Sequence, residues 1–430
     1  MSKRNLTLLT DLYELTMMQG YYEKGQNEKV IFDVFFRQNP CNNGYSVCAG
    51  LDQVIDYIKN LHFTYEDVDY LRGLGIFKED FLHYLSGFHF SGDIYAIPEG
   101  TVIFPKEPLL KVIAPIMEAQ LVETAILNII NHQSLIATKT SRIVFAANGD
   151  GIMEFGLRRA QGPDAGTLGA RAAVIGGCCG TSNVLTGKQF GVPVKGTHAH
   201  SWVMSFPDEL TAFREYARLF PDACLLLVDT YNTLESVPNA IKVFKEMRAK
   251  GIELKNYGIR LDSGDLAYLS KKAKAMLEEA GFPDAVISAS SDLDENLIAS
   301  LKLQGAKISL WGVGTKLITS DDCPAFGGVY KLAAEEDENG KFIPKIKLSN
   351  NPEKVTNPGI KKVFRIYEKS TGKIKADLIA LDDETIDENK PLAIYDSNAK
   401  WKNMRLEPGT YRVRELLVPV FIDGKQVYES

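Results

Sequence analysis

The sequence is poor in several features that mark particular protein classes. Only six of its 430 residues are cysteines, they match no zinc-ligand spacing, and the adjacent Cys178-Cys179 is a poor disulfide pair. No uninterrupted apolar run is long enough to span a bilayer. Residues 1–6 lack the apolar core and cleavage site of a secretion signal. We therefore expect a reduced, cytoplasmic protein.

An excess of basic residues is also missing. The 49 lysines and arginines are outnumbered by 55 acidic residues, which gives a net charge of −6. This balance argues against a surface that binds nucleic acid or membrane. With 45% apolar and 24% charged residues the composition is that of a globular protein. A chain of this length exceeds one core of ordinary size, so two domains are expected.

The central part of the sequence, residues 117–333, alternates strand-like and helical patterns. A long, largely apolar helical stretch runs from Met117 to about Ala147. Short runs typical of buried strands follow at 152–155, 192–194, 224–228, 257–261, 285–288 and 307–311. Such alternation predicts a parallel sheet, and this many units favour an α/β barrel, with an open doubly wound sheet as the alternative.

The two ends of the chain differ from this centre. Residues 1–116 combine helical patterns with strand-like runs and form an α+β part. Residues 334–430 are rich in lysine, glutamate, aspartate and short strand-like runs. We expect this C-terminal part to fold back on the N-terminal part and to complete a second, smaller domain.

Two of the six histidines lie in one short stretch, Gly196-Thr197-His198-Ala199-His200-Ser201-Trp202. The apolar run 190–194 before it predicts a buried strand, and a helical pattern follows from residue 207. The histidines thus lie where a strand gives way to a loop, the end at which chemistry collects in α/β folds. A lone histidine is more often a packing residue, but the neighbouring glycine, threonine and serine suit phosphate binding.

Other predicted strand ends carry similar side chains. The segment 154–164 places Arg158 and Arg159 just beyond a strand, and arginine forks suit carboxylate and phosphate. Asp229 ends another strand, and the segment 260–265 combines an arginine with two aspartates. Of these, we interpret Asp262 as functional, binding ribose hydroxyls or magnesium, and Asp265 as a helix N-cap.

Two glycine-rich segments are further candidates for ligand binding. Gly312-Val313-Gly314-Thr315 resembles a short phosphate-binding turn. Residues 176–183 form a glycine-rich turn that could equally contact a ligand or pack a helix on a strand. The two cysteines in this turn have no neighbouring base, so a thiol nucleophile is not expected.

Together these segments resemble the nicotinate phosphoribosyltransferase family. The resemblance covers nearly the whole chain in order and rests on residues 10–13, 154–164, 196–201, 228–231, 260–265, 312–315 and 327–331. It implies an irregular α/β barrel of the type II phosphoribosyltransferase kind, with a second α+β domain formed by the N- and C-terminal segments. It also implies a homodimer with shared active sites. The implied reaction joins nicotinate and phosphoribosyl diphosphate, coupled to ATP hydrolysis with Mg²⁺ as cofactor, and yields nicotinate mononucleotide for NAD salvage.

The resemblance also implies roles for individual residues. His200 matches the histidine that is transiently phosphorylated, and Asp262 fits the ribose side of the catalytic centre. Tyr13 matches a tyrosine that reaches nicotinate from the other subunit. The remaining substrate-binding positions are Arg158, Arg159, Thr197, Ser201, Arg260, Asp292, Gly312, Gly314 and Thr315. Among them, Thr197 and Arg260 match nicotinate contacts, and Thr315 with its two glycines matches a phosphate contact. The magnesium ligands stay unassigned.

Two rival functions remain at this point. Nicotinamide phosphoribosyltransferases share the barrel and the histidine, but the chain length, the run Gly156–Asp164 and the start Thr10–Tyr13 favour nicotinate. The rival from a different class is a metabolite-binding barrel without catalytic activity. Turnover of labelled nicotinate separates that rival from an enzyme.

Overall fold

The computed structural model describes residues 4–351, 354–396 and 399–429. The chain divides into two compact units, one made of the residues up to Ser134 and from Ala325 onward, the other of Leu135–Pro324. The sequence predicts these divisions at residues 116/117 and 333/334. The central unit is shorter because the first half of the long helix and the strand that begins at Gly328 belong to the first unit.

The N-terminal segment contains helices and short strands in alternation. They are α1 (Leu12–Lys24), β1 (Lys29–Phe36), β2 (Ser46–Val47), α2 (Leu51–Lys59), α3 (Tyr65–Gly73), α4 (Glu79–Ser86), β3 (Asp93–Ala96), β4 (Val102–Ile103), β5 (Leu110–Pro115), α5 (Ile116–Leu121) and α6 (Glu123–Ala147). The single helix predicted from Met117 to Ala147 is therefore two helices, which are separated at Val122.

The central segment alternates strands with helices. In order these are β6 (Gly151–Glu154), α7 (Pro163–Ile175), β7 (Gly180–Thr181), α8 (Val184–Phe190), α9 (His200–Met204), α10 (Glu209–Leu219), β8 (Cys224–Leu227), α11 (Thr233–Ala249), β9 (Tyr257–Leu261), α12 (Leu266–Glu279), β10 (Val286–Ser291), α13 (Glu295–Leu303), β11 (Leu310–Val313) and α14 (Thr315–Ile318). Many of the helices begin at an aspartate or asparagine whose side chain accepts from the first turn. Asp265 caps α12 in this way, as predicted.

The C-terminal segment is built of strands. They are β12 (Gly328–Glu336), β13 (Phe342–Pro344), β14 (Lys361–Glu368), β15 (Ile374–Leu381), β16 (Leu392–Asp396), β17 (Ala399–Leu406), β18 (Tyr411–Glu415), β19 (Val418–Ile422) and β20 (Lys425–Gln426).

Both chain ends contribute to the main sheet of the first unit. Its order is β13-β12-β1-β5-β3-β19-β20, so β1 lies between β12 from the C-terminal part and β5 from the N-terminal part. Both neighbours pair with β1 in antiparallel fashion. Buried apolar side chains hold the pairing together, and Phe32 on β1 stacks on Tyr330 of β12 with ring centroids 4.6 Å apart. The second α+β domain predicted from both chain ends is therefore present.

The second unit is built on a parallel sheet of order β7-β6-β11-β10-β9-β8. The last strand, β11, pairs with the first, β6, which is the connection of a barrel and not of an open doubly wound sheet. Among the described residues no strand pairing closes the gap between β7 and β8, so the barrel is incomplete. This confirms the predicted fold class, an irregular α/β barrel.

One predicted strand of the barrel is not formed. Residues 190–194 were expected to be a buried strand, but Phe190 ends α8 and Gly191 adopts the left-handed conformation that terminates it (φ 68°). Pro193 has no backbone N–H to donate in a β-ladder, and Val194 makes only an isolated bridge to Thr181.

In the part of the chain that the structure describes, no helix has the length and apolar character needed to cross a membrane, and none of the six cysteines forms a disulfide.

Candidate active site

The carboxyl ends of the barrel strands surround a cavity of about 510 Å³. Most of the site residues expected from the sequence line it, namely Arg158, Arg159, Thr197, His200, Arg260, Asp262, Asp292, Gly312, Gly314 and Thr315. Parallel strands place their carboxyl ends on one side of the sheet, so side chains that are far apart in sequence converge there.

Two expected residues do not line this cavity. Ser201 lies in the first turn of α9, next to the cavity-lining His200, and its side chain is exposed. Tyr13 lies in α1 of the first unit and is 48% exposed. Burial and the neighbouring Glu14 raise the pKa of Tyr13.

His198 is enclosed by the protein. Only 7% of the residue is exposed, and its ring packs on Tyr216 with centroids 4.6 Å apart. Its Nε2 accepts a hydrogen bond of 3.2 Å from the backbone N–H of Leu227 in β8. Burial lowers the pKa of His198 to about 4, so the ring is neutral at pH 7. His198 thus bridges the open side of the barrel, where no strand pairing is present among the described residues.

His200, two residues later, has an open environment. It is the first residue of α9, and 40% of its side chain is exposed. Its Nδ1 lies 3.1 Å from the hydroxyl oxygen of Thr230, and its Nε2 lies 3.7 Å from Oδ2 of Asp262. The ring is therefore oriented by Thr230 while Nε2 stays accessible from the cavity. This arrangement suits a histidine that reacts with a ligand.

Arg260, in β9, is a largely buried cation in the cavity wall. One guanidinium nitrogen donates to Oγ1 of Thr197. Among the described residues, its buried Nε has no hydrogen-bond partner. Burial lowers the pKa of Arg260, which the neighbouring Asp262 and Asp229 oppose. A buried guanidinium that still has a hydrogen-bond donor available is suited to binding a carboxylate.

A network of hydrogen bonds fixes Asp262 just beyond β9. Its Oδ1 accepts from Oγ of Ser290, and its backbone N–H donates to Oδ2 of Asp229 at 3.0 Å. The same Asp229 oxygen accepts from Oγ of Ser263 at 2.5 Å. Three strand ends are linked in this way, and the Asp262 carboxylate is held between His200 and Ser290.

The arginine loop is anchored by a buried glutamate. Glu154, the last residue of β6, is fully buried and accepts from Oγ1 of Thr181 at 2.6 Å and from the backbone N–H of Gly156. Burial raises the pKa of this carboxyl group above its ordinary value. Arg158 and Arg159, in the turn that follows, are exposed at the cavity. Glu154 therefore fixes the backbone from which both arginines project.

The far side of the cavity is formed by the ends of β10 and β11. A Cβ on Gly312 would lie 2.6 Å from the Phe155 ring, so only glycine fits there. Ser291, at the end of β10, has φ 153°, which a non-glycine residue rarely adopts. A strained backbone conformation of this kind persists only where the surrounding structure holds it in place. Here it lies next to the cavity-lining Asp292.

Several residues of this network received no role in the sequence analysis. Thr230, Ser290, Glu154 and Asp229 act through contacts between different strand ends. For Ser290 the only sequence signal is a polar side chain at the end of a predicted strand. Glu154, Asp229 and Thr230 also lie in segments that carry the family resemblance. The glycine-rich turn at 176–183 packs closely, since a Cβ on Gly176 would lie 2.5 Å from the carbonyl oxygen of Ala137.

The carboxylates at the cavity are the candidate metal ligands. In the described ranges no three histidine, cysteine, aspartate or glutamate side chains come together as a preformed metal site. Mg²⁺ commonly binds through one or two carboxylates together with substrate phosphates, and does not need such a cluster. The donor set at the cavity fits that mode, because Asp262 and Asp292 both line it.

Comparisons with known proteins assign three consecutive parts of the chain to the same family. The family model described as nicotinate phosphoribosyltransferase (NAPRTase) family matches residues 151–324. The models for the N-terminal and C-terminal domains of nicotinate phosphoribosyltransferase match residues 8–131 and 360–430.

Relatives and solved structures cover most of the chain. A nicotinate phosphoribosyltransferase of Bacillus subtilis (strain 168) is 53% identical over 393 residues, which is 91% of this chain and 79% of the relative. One from Caenorhabditis elegans is 38% identical over 442 aligned positions, covering 88% and 76%. The crystal structure of human nicotinic acid phosphoribosyltransferase superposes with a TM-score of 0.80 at 27% identity, covering 98% of this chain and 90% of the human chain.

Proposed function

The chain belongs to the nicotinate phosphoribosyltransferase family, and we propose that it couples nicotinate phosphoribosyl transfer to ATP hydrolysis through a phosphohistidine at His200. The activity itself, formation of nicotinate mononucleotide for NAD biosynthesis, follows from the family. The phosphohistidine, ATP, Mg²⁺ and the assembly of the enzyme are our proposals.

The contrast between the two histidines carries the proposal. The Nε2 of His198 is occupied by a backbone N–H and its ring is neutral and enclosed. The Nδ1 of His200 contacts Thr230, which leaves Nε2 available at the cavity. In the proposed step, Nε2 attacks the γ-phosphorus of ATP, the bond to the β–γ bridging oxygen breaks, and ADP leaves. Water later breaks the P–N bond and releases phosphate.

Arg260 is proposed to bind the nicotinate carboxylate. Its guanidinium lines the cavity, has an unused donor at Nε among the described residues, and is oriented by Thr197. A charge-assisted contact at this position fixes the pyridine ring so that its nitrogen points toward the sugar. The nitrogen then attacks the anomeric carbon while the bond to the diphosphate breaks.

The phosphate groups are proposed to bind along the rest of the cavity wall. Arg158 and Arg159 lie at one side, and the turn Gly312–Thr315 offers backbone N–H groups and a hydroxyl at the other. Mg²⁺ held by the diphosphate and Asp262 would neutralise charge on the leaving group. Asp262 also stabilises positive charge that develops on the ribose ring in the transition state.

Homodimerisation and a cytoplasmic location are part of the proposal. Leu12, Tyr13 and Met17 on α1 are large exposed side chains, which is the pattern of a surface that a second subunit covers. Tyr13 would then reach the nicotinate site of the partner. Six cysteines without a disulfide in the described chain fit a reducing compartment.

The experiment compares His200→Ala with His198→Ala. Both variants and the parent enzyme are incubated with γ-labelled ATP, and acid-labile, base-stable protein label is measured. We expect label in the parent and in His198→Ala, if that variant stays folded by circular dichroism, and none in His200→Ala. Label in His200→Ala that His198→Ala lacks would reverse the assignment.

Substrate choice is measured on the same preparations. The parent enzyme should turn over nicotinate in preference to nicotinamide, and ATP should increase the yield at low substrate concentration. Equal use of both pyridines would contradict the assignment to nicotinate. No effect of ATP, together with no label, would remove the coupling from the proposal.

A further inference from the structure

An ionic cluster lies in the second unit, outside the cavity. Lys139 of α6, only 3% exposed, has its Nζ 2.9 Å from Oε2 of Glu295 and 2.7 Å from Oδ1 of Asp322. Arg142, about one helical turn further along α6, places guanidinium nitrogens 2.6 Å from Oε1 of Glu295 and 3.6 Å from Oδ2 of Asp322. These four residues, called the Lys139 cluster below, join three separate stretches of the chain.

The two carboxylates of the cluster follow two cavity-lining segments. Glu295 is the first residue of α13 and comes soon after the segment Ser290–Asp292. Asp322 follows α14, whose first residue, Thr315, ends the segment Gly312–Thr315. A lysine on one helix therefore anchors the chain just beyond both segments.

A second ionic contact links the same two segments directly. Nζ of Lys316, the residue after Thr315, lies 3.4 Å from Oδ2 of Asp294, the N-cap of α13, and 3.6 Å from Oδ2 of Asp321. The start of α14 is thus tied to the start of α13. The strands β10 and β11 are paired through their backbones up to Ser291 and Val313, and these ion pairs extend the connection to the residues just beyond.

The cluster is better suited to fixing geometry than to adding stability. Burying a lysine is costly, and a well-packed apolar replacement of a buried ion pair is often as stable. Burial pushes the pKa of Asp322 upward, yet the hydrogen bond and charge of Lys139, together with a backbone hydrogen bond and the charge of Arg142, hold that pKa below its ordinary value. The strained φ of Ser291 indicates that the segment it belongs to is held by its surroundings.

We propose that Lys139 is a positioning residue, which through Glu295 and Asp322 sets the separation of the segments Ser290–Asp292 and Gly312–Thr315 for the phosphate of phosphoribosyl diphosphate. This inference rests on the placement of that phosphate in the proposed function. It assigns no contact between Lys139 and substrate. Its consequence is a selective loss of phosphoribosyl diphosphate binding when the cluster is broken.

The test uses Lys139→Met and the milder Asp322→Asn, together with Lys139→Arg as the charge-conserving variant. The matched control is Lys302→Met. Lys302 is also an ion-paired lysine of this unit, with Nζ 2.7 Å from Oδ2 of Asp150, but it lies at the opposite end of α13 from Glu295. Thr315→Val tests the phosphate placement itself. Initial rates give KM for phosphoribosyl diphosphate and for nicotinate, and thermal unfolding reports stability.

We expect Lys139→Met and Asp322→Asn to raise KM for phosphoribosyl diphosphate roughly tenfold, with a much smaller change for nicotinate, because a small displacement of binding groups weakens one ligand selectively. Lys139→Arg should recover part of the loss. Lys302→Met should leave the ratio of the two constants unchanged even if its melting temperature falls.

Two results would overturn the inference, and they are distinguishable. If Thr315→Val raises KM for phosphoribosyl diphosphate but neither cluster variant does so selectively, the cluster is only structural and the proposed function stands. If Thr315→Val itself leaves that constant unchanged, the phosphate placement in the proposed function is wrong, and the role of Lys139 falls with it.

Discussion

At the scale of single residues, the role of a side chain depends more on its surroundings than on its chemical identity. His198 and His200 are two positions apart, yet one is enclosed and bonded to a backbone N–H while the other is open to a cavity. The sequence placed both at a strand end. It could not show that the ring of His198 would bridge the open side of the barrel, because that contact joins residues 29 positions apart.

Arg260 offers a direct residue-scale prediction. In Arg260→Ala the nicotinate carboxylate loses a charge-assisted contact, which is typically worth about 1.5–3 kcal/mol. KM for nicotinate should therefore rise about tenfold or more, and KM for ATP should change much less. The control is Arg218→Ala, which removes an exposed arginine that does not line the cavity. An unchanged nicotinate constant in Arg260→Ala would exclude the proposed contact.

Glu14 predicts a pH dependence of stability. Its side chain is fully buried, and burial raises its pKa to about 7 from an ordinary value of 4.5. The folded state therefore favours the protonated form of Glu14. The resulting contribution to the free energy of unfolding is complete below about pH 4.5 and is lost as the pH rises through about 7. Gln120 donates to the carboxyl group, which lowers this pKa, and the charges of Glu123 and Asp11 raise it further.

Glu14→Gln removes this titration. Between pH 5 and pH 8 the free energy of unfolding of the parent should fall by roughly 1–3 kcal/mol more than that of the variant. Urea unfolding at both pH values measures the difference, and Glu66→Gln, at an exposed helix start, serves as the control. Parallel pH profiles for parent and Glu14→Gln would mean that Glu14 ionises normally in the folded protein.

At the scale of elements, periodicity predicted much of the architecture. Alternating strand and helix patterns gave the barrel, and polar residues at strand ends gave most of the cavity wall. The strand expected at 190–194 was wrong because Gly191 and Pro193 interrupt an apolar run whose composition alone is strand-like. The Lys139 cluster had one sequence signal, a lysine within an apolar helical pattern, but its partners are supplied by the fold.

The end of β10 provides the element-scale prediction. Ser291→Gly should relieve the strain of φ 153° and raise the free energy of unfolding by about 0.5–1 kcal/mol, while the looser segment raises KM for phosphoribosyl diphosphate. The matched control on the same strand is Ser288→Gly, which lies in ordinary extended backbone and should destabilise the protein. Loss of stability in both variants would show that Ser291 is not strained.

At the scale of the whole molecule, both chain ends meet in one sheet. Strand β1 pairs with β12 and β5, so the sheet of the first unit is complete only once the barrel segment, which lies between β5 and β12 in the sequence, has been synthesised. Composition changes at the ends of the sequence predicted this shared domain, but not its limits. The boundary between the two units falls within α6. The helical pattern of α6 is uniform along its length, so the sequence does not indicate where the boundary lies.

Sharing of active sites between subunits is the prediction at this scale. If Tyr13 acts on the nicotinate bound by the partner, Tyr13→Ala and His200→Ala remove different parts of the same composite site. Each homodimer of either variant should then be strongly impaired in ATP-coupled turnover at a low nicotinate concentration. A heterodimer of the two has one site with both lesions and one site with neither, so mixing under conditions of subunit exchange should restore up to about half of the normal activity per heterodimer.

The control for this experiment mixes His200→Ala with Arg260→Ala. Both residues line the cavity of one unit of the same chain, so in their heterodimer each site retains one lesion. At a low nicotinate concentration, activity in this mixture should not exceed the mean of the two homodimers. Native mass spectrometry establishes that heterodimers have formed in both mixtures. Failure of the Tyr13→Ala mixture to recover activity, with heterodimers present, would place Tyr13 in its own subunit's site or outside any site. Recovery in that mixture alone requires that each active site is built from two subunits, because no other pairing of the lesions yields an intact site.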